Sequence, residues 1–362
     1  MNDLASPSGH RYELAGVMSG SSLDGLDVAH CVFTRTAQGW EYEIIKAETF
    51  TYPAGLREEL HKLSQIPAEA FAHLSVRLGH YIGDTLKRFF SESEESRIRY
   101  IASHGHTAFH NPAEGYTCQI GDGASIAAIT GIPTITDFRS MDVALGGQGA
   151  PLVPIGDALL FHQYEFCLNL GGYSNISWSE QGRRRAFDIS PVNKAINLLA
   201  RQIGRDIDFN GSLARKGNIS PSLLAALNNL DYYRQPPPKS LGDGWFNQQF
   251  MPLIHQHQDL SVADQLRTLY EHIALQLAAH TRHLPPGKML VTGGGAHNTF
   301  LMEVLQHHTP HRLIKPSPKV IDFKEALIFA LMGLLRIRNE NNCLASATGA
   351  SRDNCGGVVH TI

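Results

Sequence analysis

The sequence predicts an α/β fold in two domains, and three observations carry that expectation. The chain has 362 residues, which as a prior on domain size means two domains of ordinary length. β-leaning segments alternate with helical patterns, the arrangement of layered sheets and helices. A unit of strand, glycine-bearing loop and strand occurs twice, starting near residue 12 and again near residue 166, as if two halves were built on one plan. The division is expected near residue 162, giving domains 1–162 and 163–362, with the extreme C-terminus packing back on the first.

The elements follow in order. Tyr12 to Met18, Asp27 to Thr34 and Tyr42 to Thr51 read as strands separated by turn residues. The first two flank Ser19-Gly-Ser-Ser-Leu-Asp-Gly25 and so form a hairpin with a glycine loop at its tip. Ala54 to Leu63 is a short helix. Ala68 to Phe90 is a longer one, with Phe71, Leu74, Leu78, Ile82 and Leu86 at spacings of three and four. Arg99 to Ser103 is a short strand ending in His104-Gly-His106. Ala124 to Thr130 reads as helix and Ile132 to Thr136 as strand. The second strand-loop-strand runs Cys167 to Leu170, Gly171-Gly172, then Asn175 to Trp178. Ser190 is expected to cap a helix running to Leu199, with Pro191 at its first position. The stretch Gln235-Pro-Pro-Pro-Lys-Ser-Leu-Gly-Asp-Gly244 excludes regular structure and reads as a loop. Val262 to Leu284, His297 to His307 and Phe323 to Asn339 read as helices, and Lys288 to Val291 as a buried strand.

Composition narrows the class. An apolar fraction of 43% supports a packed core. A formal net charge of −3 argues against nucleic acid or an anionic membrane as the main partner. The first ten residues carry no signal-peptide core, and no apolar run is long enough to span a bilayer. Cys31, Cys118, Cys167, Cys343 and Cys355 are scattered without a CxxC pair, the usage of reduced thiols in a cytoplasmic protein.

Three glycine stretches carry the chemistry. In the first, Gly20 and Gly25 permit close backbone approach, Ser21 and Ser22 add hydroxyls, and the turn's N–H groups can cradle phosphate oxygens. Asp24 and Asp27 can hold Mg²⁺ directly or through water. The same residues also suit an ordinary hairpin turn. The second, Asn169-Leu-Gly-Gly172, follows a buried strand, where paired glycines let something large approach the backbone. The third, Thr292-Gly-Gly-Gly295, lies between strand and helix, an arrangement that favours anions. Neither a GxxxxGK[ST] loop nor a GxGxxG fingerprint is present. Singly each is compatible with a tight turn; together they point to a nucleotide held from several sides. Ser103-His-Gly-His-Thr-Ala-Phe-His110 places histidines two apart, a spacing that can chelate zinc, but lacks a nearby Cys or Glu cluster.

The longest run of unusual types is Asp137-Phe-Arg-Ser-Met-Asp-Val-Ala-Leu-Gly-Gly-Gln-Gly-Ala-Pro-Leu-Val-Pro154. With this run and the three loops, the chain resembles the anhydro-N-acetylmuramic acid kinases of the sugar kinase/Hsp70/actin superfamily, from Gly16 to about Gly349. The resemblance implies two actin-like (RNase H-like) α/β domains around a nucleotide cleft. It assigns Gly20, Ser21, Ser22, Leu23, Asp24, Gly25, Leu26 and Asp27 to the phosphate-1 element. Gly171, Gly172 and Asn175 fall in phosphate-2, and Gly293, Gly294, Gly295 and Asn298 in the adenosine element. The cofactors implied are ATP and Mg²⁺. The reaction implied converts 1,6-anhydro-N-acetylmuramate, ATP and water into N-acetylmuramate 6-phosphate and ADP, in recycling of cell-wall amino sugars.

The same resemblance distributes roles. Ring opening needs a base, and Asp188 lies where the family has its catalytic aspartate; otherwise it is a second helix-capping group. Glu325 is an orienting or second carboxylate, or simply an acid in a helix's first turn. Arg139 suits the lactyl carboxylate, its planar fork matching a carboxylate bidentately, unless it pairs internally with Asp137 or Asp142. Asp142 orients Arg139 or the substrate, and Gln148 reaches sugar hydroxyls or the N-acetyl group. Ser103, His104 and Thr107 line the sugar cleft, with Asp122 beside it. Two departures from the family pattern stand out. His106 replaces a glutamine, and Ile189, Ser190 and Val192 replace small or hydroxylated residues after Asp188. The resemblance also admits a homodimer. Two rivals remain: a kinase for an ordinary amino sugar or polyol without ring hydrolysis, and an actin-like or chaperone-like ATP-dependent binding protein.

Overall fold

The computed structural model describes residues 11–362 except Ser21, Ser22, Asp24, 92–96 and Pro238. The chain divides into two compact units. One holds the described residues up to Phe161 together with Phe323–Ile362, the other His162–Asp322.

The first unit carries β1 (Arg11–Ser19), β2 (Leu26–Thr36), β3 (Gly39–Phe50), β4 (Tyr100–Ser103), the hairpin β5 (His106–Asn111) and β6 (Tyr116–Ile120), and β7 (Thr134–Thr136). The second carries β8 (Phe166–Leu170), β9 (Tyr173–Glu180), β10 (Arg183–Pro191), β11 (Lys288–Thr292) and β12 (Arg312–Ile314). The last strand, β13 (Val358–His360), joins the first unit. Its main sheet is ordered β13-β7-β4-β1-β2-β3, and that of the second unit β10-β9-β8-β11-β12. In each, three consecutive antiparallel strands are extended by two parallel ones across the first strand of the set. Two sheets share one strand order, and β13 is an antiparallel addition to the first. The mixed α/β class and the expectation of two halves built on one plan are thereby borne out.

Periodicity and burial agree. Leu74, Leu78, Ile82 and Leu86 of the helix Ala68–Ser91 are all buried in the core of the first unit, with Ala15, Val17, Leu26 and Val28 from the sheet. The second unit's core joins Leu168, Leu170, Ile176 and Phe187 of the sheet to Leu266, Leu269, Ile273 and Leu277 of the helix Val262–Thr281. Five strands escape the sequence reading: β5, β6, β10, β12 and β13. β12 and β13 have three residues each, too few to show a period of two.

Two expectations are corrected. Ser190 does not cap a helix, because β10 runs on through Pro191 and the helix starts at Asn193. Ser190 instead bonds Ser174 across the sheet, its N–H donating to Ser174 Oγ at 3.2 Å. The helix's first N–H groups are satisfied by the β8–β9 turn: Val192 and Lys194 donate to Gly172 O and Asn193 to Gly171 O. The last long helix is Pro318–Ile337, so Glu325 lies inside it and not in its first turn. The lone Pro at its start fits the first helical turn.

Candidate functional site

In the second unit, strand register gathers a polar row. Thr292 on β11 pairs with Asn169 on β8, Asn169 with Asn175 on β9, and Asn175 with Asp188 on β10. Laterally paired residues point to one face of a sheet, so four polar side chains share a face at the strand ends that lead into the glycine turns. Gly293 must be glycine there: its φ is +81°, and a Cβ would lie 2.5 Å from Asn169 Oδ1. Asn193 staples the two loops. Its Nδ2 donates to Leu170 O at 2.8 Å, and its amide lies beside Gly294 and Gly295. Gly171, Gly172, Gly293, Gly294, Gly295 and Asn175 are thus brought together. Asn298 is not free for a ligand in the same way. It caps the helix Thr299–His308 by accepting from Leu301 N–H at 3.0 Å, and donates to Tyr270 Oη at 2.6 Å.

Asp188 sits beside a register shift in β10. Its Oδ2 accepts from Leu241 N–H at 2.8 Å. Burial pushes its carboxyl up to about 6, opposed by that one N–H. The N-terminus of the helix Asn193–Arg201, which a capping role would need, is already occupied by Gly171 and Gly172 carbonyls. The capping alternative therefore falls.

In the first unit, Leu23 has φ +54° and its N–H closes on Gly20 O at 3.2 Å, a tight turn. Gly25 is packed against β3, where a Cβ would meet Thr49 Cγ2 at 2.5 Å. The side chains of Leu23 and Leu26 are in the core, so only their backbone is offered to a ligand. Asp27 is partly exposed, with Oδ1 accepting from Thr49 Oγ1 at 2.6 Å. Ser21, Ser22 and Asp24 lie outside the described residues. Ser19 Oγ accepts from Tyr52 O–H at 2.7 Å and lies 3.0 Å from His106 Nδ1. Burial holds His106 down to about 4, so it is neutral at pH 7.

His104 and Arg139 form a second centre in the same unit. His104 Nδ1 donates to Gly105 O at 2.9 Å, which leaves Nε2 as acceptor for Arg139 Nε–H at 3.0 Å. Burial and the adjacent guanidinium hold this imidazole well below its ordinary range. Arg139 also donates to Gly149 O at 2.5 Å. Burial draws its guanidinium down to about 10, with Glu325 the main opposing charge, so it stays cationic at neutral pH. Burial pushes Glu325 up, against the pull of Lys324 and Arg139. A cavity of about 170 Å³ beside His104 is lined by Gln119, Asp122, Thr136, Asp137 and His360 among others. Ser103 is buried, its Oγ accepting from Gly105 N–H at 3.3 Å, and Thr107 Oγ1 accepts from Gln119 Nε2 at 3.4 Å. Gln148 is exposed, while its N–H is fixed on Thr348 O at 2.8 Å. Among the described residues, no group of three or more His, Cys, Asp or Glu is placed to hold a metal ion.

Asp142 is wholly buried and engaged on both oxygens. Oδ1 accepts from Thr348 Oγ1 at 2.8 Å, Asn354 Nδ2 at 3.0 Å and Cys343 Sγ at 3.1 Å; Oδ2 accepts from Gly149 N–H at 2.8 Å. The internal pair Arg139–Asp142 does not form, nor does Arg139–Asp137, since Asp137 Oδ1 takes Ser140 N–H and O–H. Asp142→Ala would strand four donors and should destabilise the fold by about 3 kcal/mol or more in urea unfolding. A loss below about 1 kcal/mol would show that these bonds do not hold the Gly146–Gly149 turn.

The family model of anhydro-N-acetylmuramic acid kinase matches residues 12–361. The chain belongs to the anhydro-N-acetylmuramic acid kinase family. It is 33% identical over 368 residues to the anhydro-N-acetylmuramic acid kinase of Rhizorhabdus wittichii, covering 95% of this chain and 98% of that one. It is 35% identical over 363 residues to the enzyme of the same name from Aliivibrio fischeri, again covering 95% and 98%. Among solved structures, a ROK family glucokinase from Streptomyces griseus in complex with glucose and AMPPNP aligns with a TM-score of 0.40 and 14% identity, over 88% of this chain and 97% of that one.

Within this kinase family the sequence reading found the loops but missed what holds them. Asn169 opens the second glycine loop and Asn193 ends the segment that follows Asp188, signals that were available for both. Asp208 was invisible: its carboxylate accepts from Leu213 and Ala214 N–H groups and from Tyr270 O–H, which in turn holds Asn298. No spacing connects residues 208, 270 and 298. The Pro-rich segment, a loop by its sequence, supplies the N–H that reaches Asp188. Among the described residues, no helix is long and apolar enough to cross a membrane.

Proposed function

We propose that this kinase opens 1,6-anhydro-N-acetylmuramate with water and phosphorylates the freed O6, giving N-acetylmuramate 6-phosphate and ADP. The observation that carries the reading is Asp188: a carboxylate raised toward neutrality by burial, in register with Asn175 and Asn169 beside two glycine turns. A base with a pKa near 6 is ionised at pH 7 yet still accepts a proton readily. Asp188 takes a proton from water as the water oxygen bonds C1. The C1–O6 bond breaks, its electron pair going to O6, and O6 attacks the γ-phosphorus as ADP leaves. Arg139 binds the lactyl carboxylate, and Glu325, which its charge feels, orients the sugar. Gln148 reaches the sugar from its exposed turn. His104, Ser103 and Thr107 shape that wall, and Asp142 acts on the substrate only through the turn it holds.

The glycine turns suit close approach of a phosphate-bearing ligand to the backbone: a Cβ would meet a neighbour at 2.5 Å at Gly25 and Gly293 and at 2.7 Å at Gly295, and Gly171, Gly172 and Gly294 carry no side chain to block it. Asn298 acts on this ligand by fixing the end of its loop. Asp27 offers a partly exposed carboxylate of the type a hard cation takes, and with Asp24 it would hold Mg²⁺, which neutralises phosphate charge when bound. The reading places the protein in the cytoplasm, where ATP is available, in recycling of peptidoglycan amino sugars.

The test is incubation with ATP and the anhydro sugar in ¹⁸O-water. Label should enter at C1 of a 6-phosphorylated product. Phosphorylation of plain N-acetylmuramate in preference to the anhydro form, without label, would replace this reading with that of an ordinary amino-sugar kinase. ATP hydrolysis indifferent to either sugar would leave a binding protein.

A further inference from the structure

β10 is an edge strand of its sheet, so the backbone groups on its outer side have no strand partner. At Asp188 they are taken by one segment, Asp231–Asp243. Asp188 N–H donates to Lys239 O at 3.2 Å, and Tyr232 O–H donates to Asp188 O at 2.6 Å. The carboxylate is reached from the same segment by Leu241 N–H at 2.8 Å. Three bonds from one strap thus fix backbone and side chain of a single residue.

The strap is pinned in turn. Lys239 Nζ donates to Tyr232 O at 3.1 Å, lies 3.1 Å from His280 Nε2, and sits over the Phe187 and Tyr232 rings. Tyr233 Oη is 2.9 Å from His272 Nε2, and His272 Nδ1 is 2.6 Å from Asn228 Oδ1, which ties the segment to the core helix Val262–Thr281. Beyond Leu241, Asp243 pairs with Lys194 and accepts from Tyr173 O–H at 3.0 Å. An ordinary surface loop has no reason to converge on one carboxylate in this way.

We propose that the segment Asp231–Asp243 is a positioning strap, in which Tyr232, Lys239 and Leu241 aim Asp188 and shield it from bulk water. This rests on the assignment of Asp188 as the base. The titratable and charged groups that face Asp188 or belong to the strap are Tyr173 from β9, Asp231, Tyr232, Tyr233, Arg234, Lys239 and Asp243 from the strap, with Asp231 and Arg234 paired to each other, Lys194 from the helix Asn193–Arg201, and His272 and His280 from the core helix. Burial is the larger cause of the raised carboxyl and the Leu241 N–H the smaller, opposing one. Loosening the strap therefore lets the carboxyl fall back toward an ordinary aspartate.

The experiment compares full-length Tyr232→Phe, Lys239→Met and Asp188→Asn with the native chain, using ATP and the anhydro sugar. Tyr232→Phe removes one donor and keeps the ring; Lys239→Met removes the charge and keeps the stem. Turnover should drop about 10-fold in the first and about 10²-fold in the second, with KM for ATP unchanged, as expected when a reacting group is misplaced by a fraction of an ångström to an ångström. The acidic limb of kcat/KM should move down from near pH 6, because a loosened strap lets water reach the carboxyl. A folded Tyr232→Phe protein with native turnover and an unmoved limb would overturn the strap, and so would a fall in turnover with the limb unmoved. Should Lys239→Met not fold, Tyr232→Phe decides. If Asp188→Asn is inactive while both strap variants are native, only the strap fails; if Asp188→Asn is active, the base assignment fails first.

Discussion

Asp188→Asn lowers turnover of the anhydro sugar on the order of 10²–10⁴-fold, the range for loss of a general base, while ATP binding stays intact. Asparagine keeps the shape and can still accept from Leu241 N–H, so the loss reports the proton acceptor and not the packing. The variant should fold as well as the native chain, because it removes a charge that burial disfavours. The native enzyme supplies the matching pH dependence. The base must be ionised, and its carboxyl is raised, so kcat/KM falls as pH drops through about 6 and levels off at and above neutrality. Steady-state rates from pH 5 to 8 with a calorimetric ATP titration check both statements. An Asp188→Asn enzyme that keeps most of its turnover ends the assignment.

Arg139→Met lowers kcat/KM for the anhydro sugar by about 10²-fold or more, chiefly through KM, because a buried guanidinium paired with a carboxylate is lost. The comparison that isolates the role uses 1,6-anhydro-N-acetylglucosamine, which has no lactyl group. If Arg139 reads the carboxylate, the lactyl-bearing sugar loses far more than its analogue. Equal losses on both would show that the side chain serves only to join His104 and Gly149. Arg139→Lys should not restore the native value, since an ammonium cannot offer the planar fork.

The long elements were legible because burial imposes a period: Leu74, Leu78, Ile82 and Leu86 announce their helix, and the glycine runs announce turns. What defeated the reading was length and order. β12 and β13 are three residues each, and β10 continued through Ser190-Pro191, where local chemistry favoured a helix start. The cross-strand Ser174–Ser190 bonds and the pairing of Pro191 with Tyr173 outweighed a cap that local sequence alone favours.

The site divides along the same line. The sequence by itself determined the family, the reaction class and the residue types at the loops, because glycine, aspartate and arginine are demanded by close approach, proton transfer and carboxylate binding wherever they stand. Only the tertiary structure decided what each carboxylate is free to do. Asp142 and Asp188 look alike in the chain. One is bound by four donors from Gly149 and residues 343–354 and acts as an anchor. The other, among the described residues, accepts one hydrogen bond on its carboxylate, from Leu241 N–H, and is poised near neutrality. That difference arises from donors far away in sequence, and no local pattern encodes it.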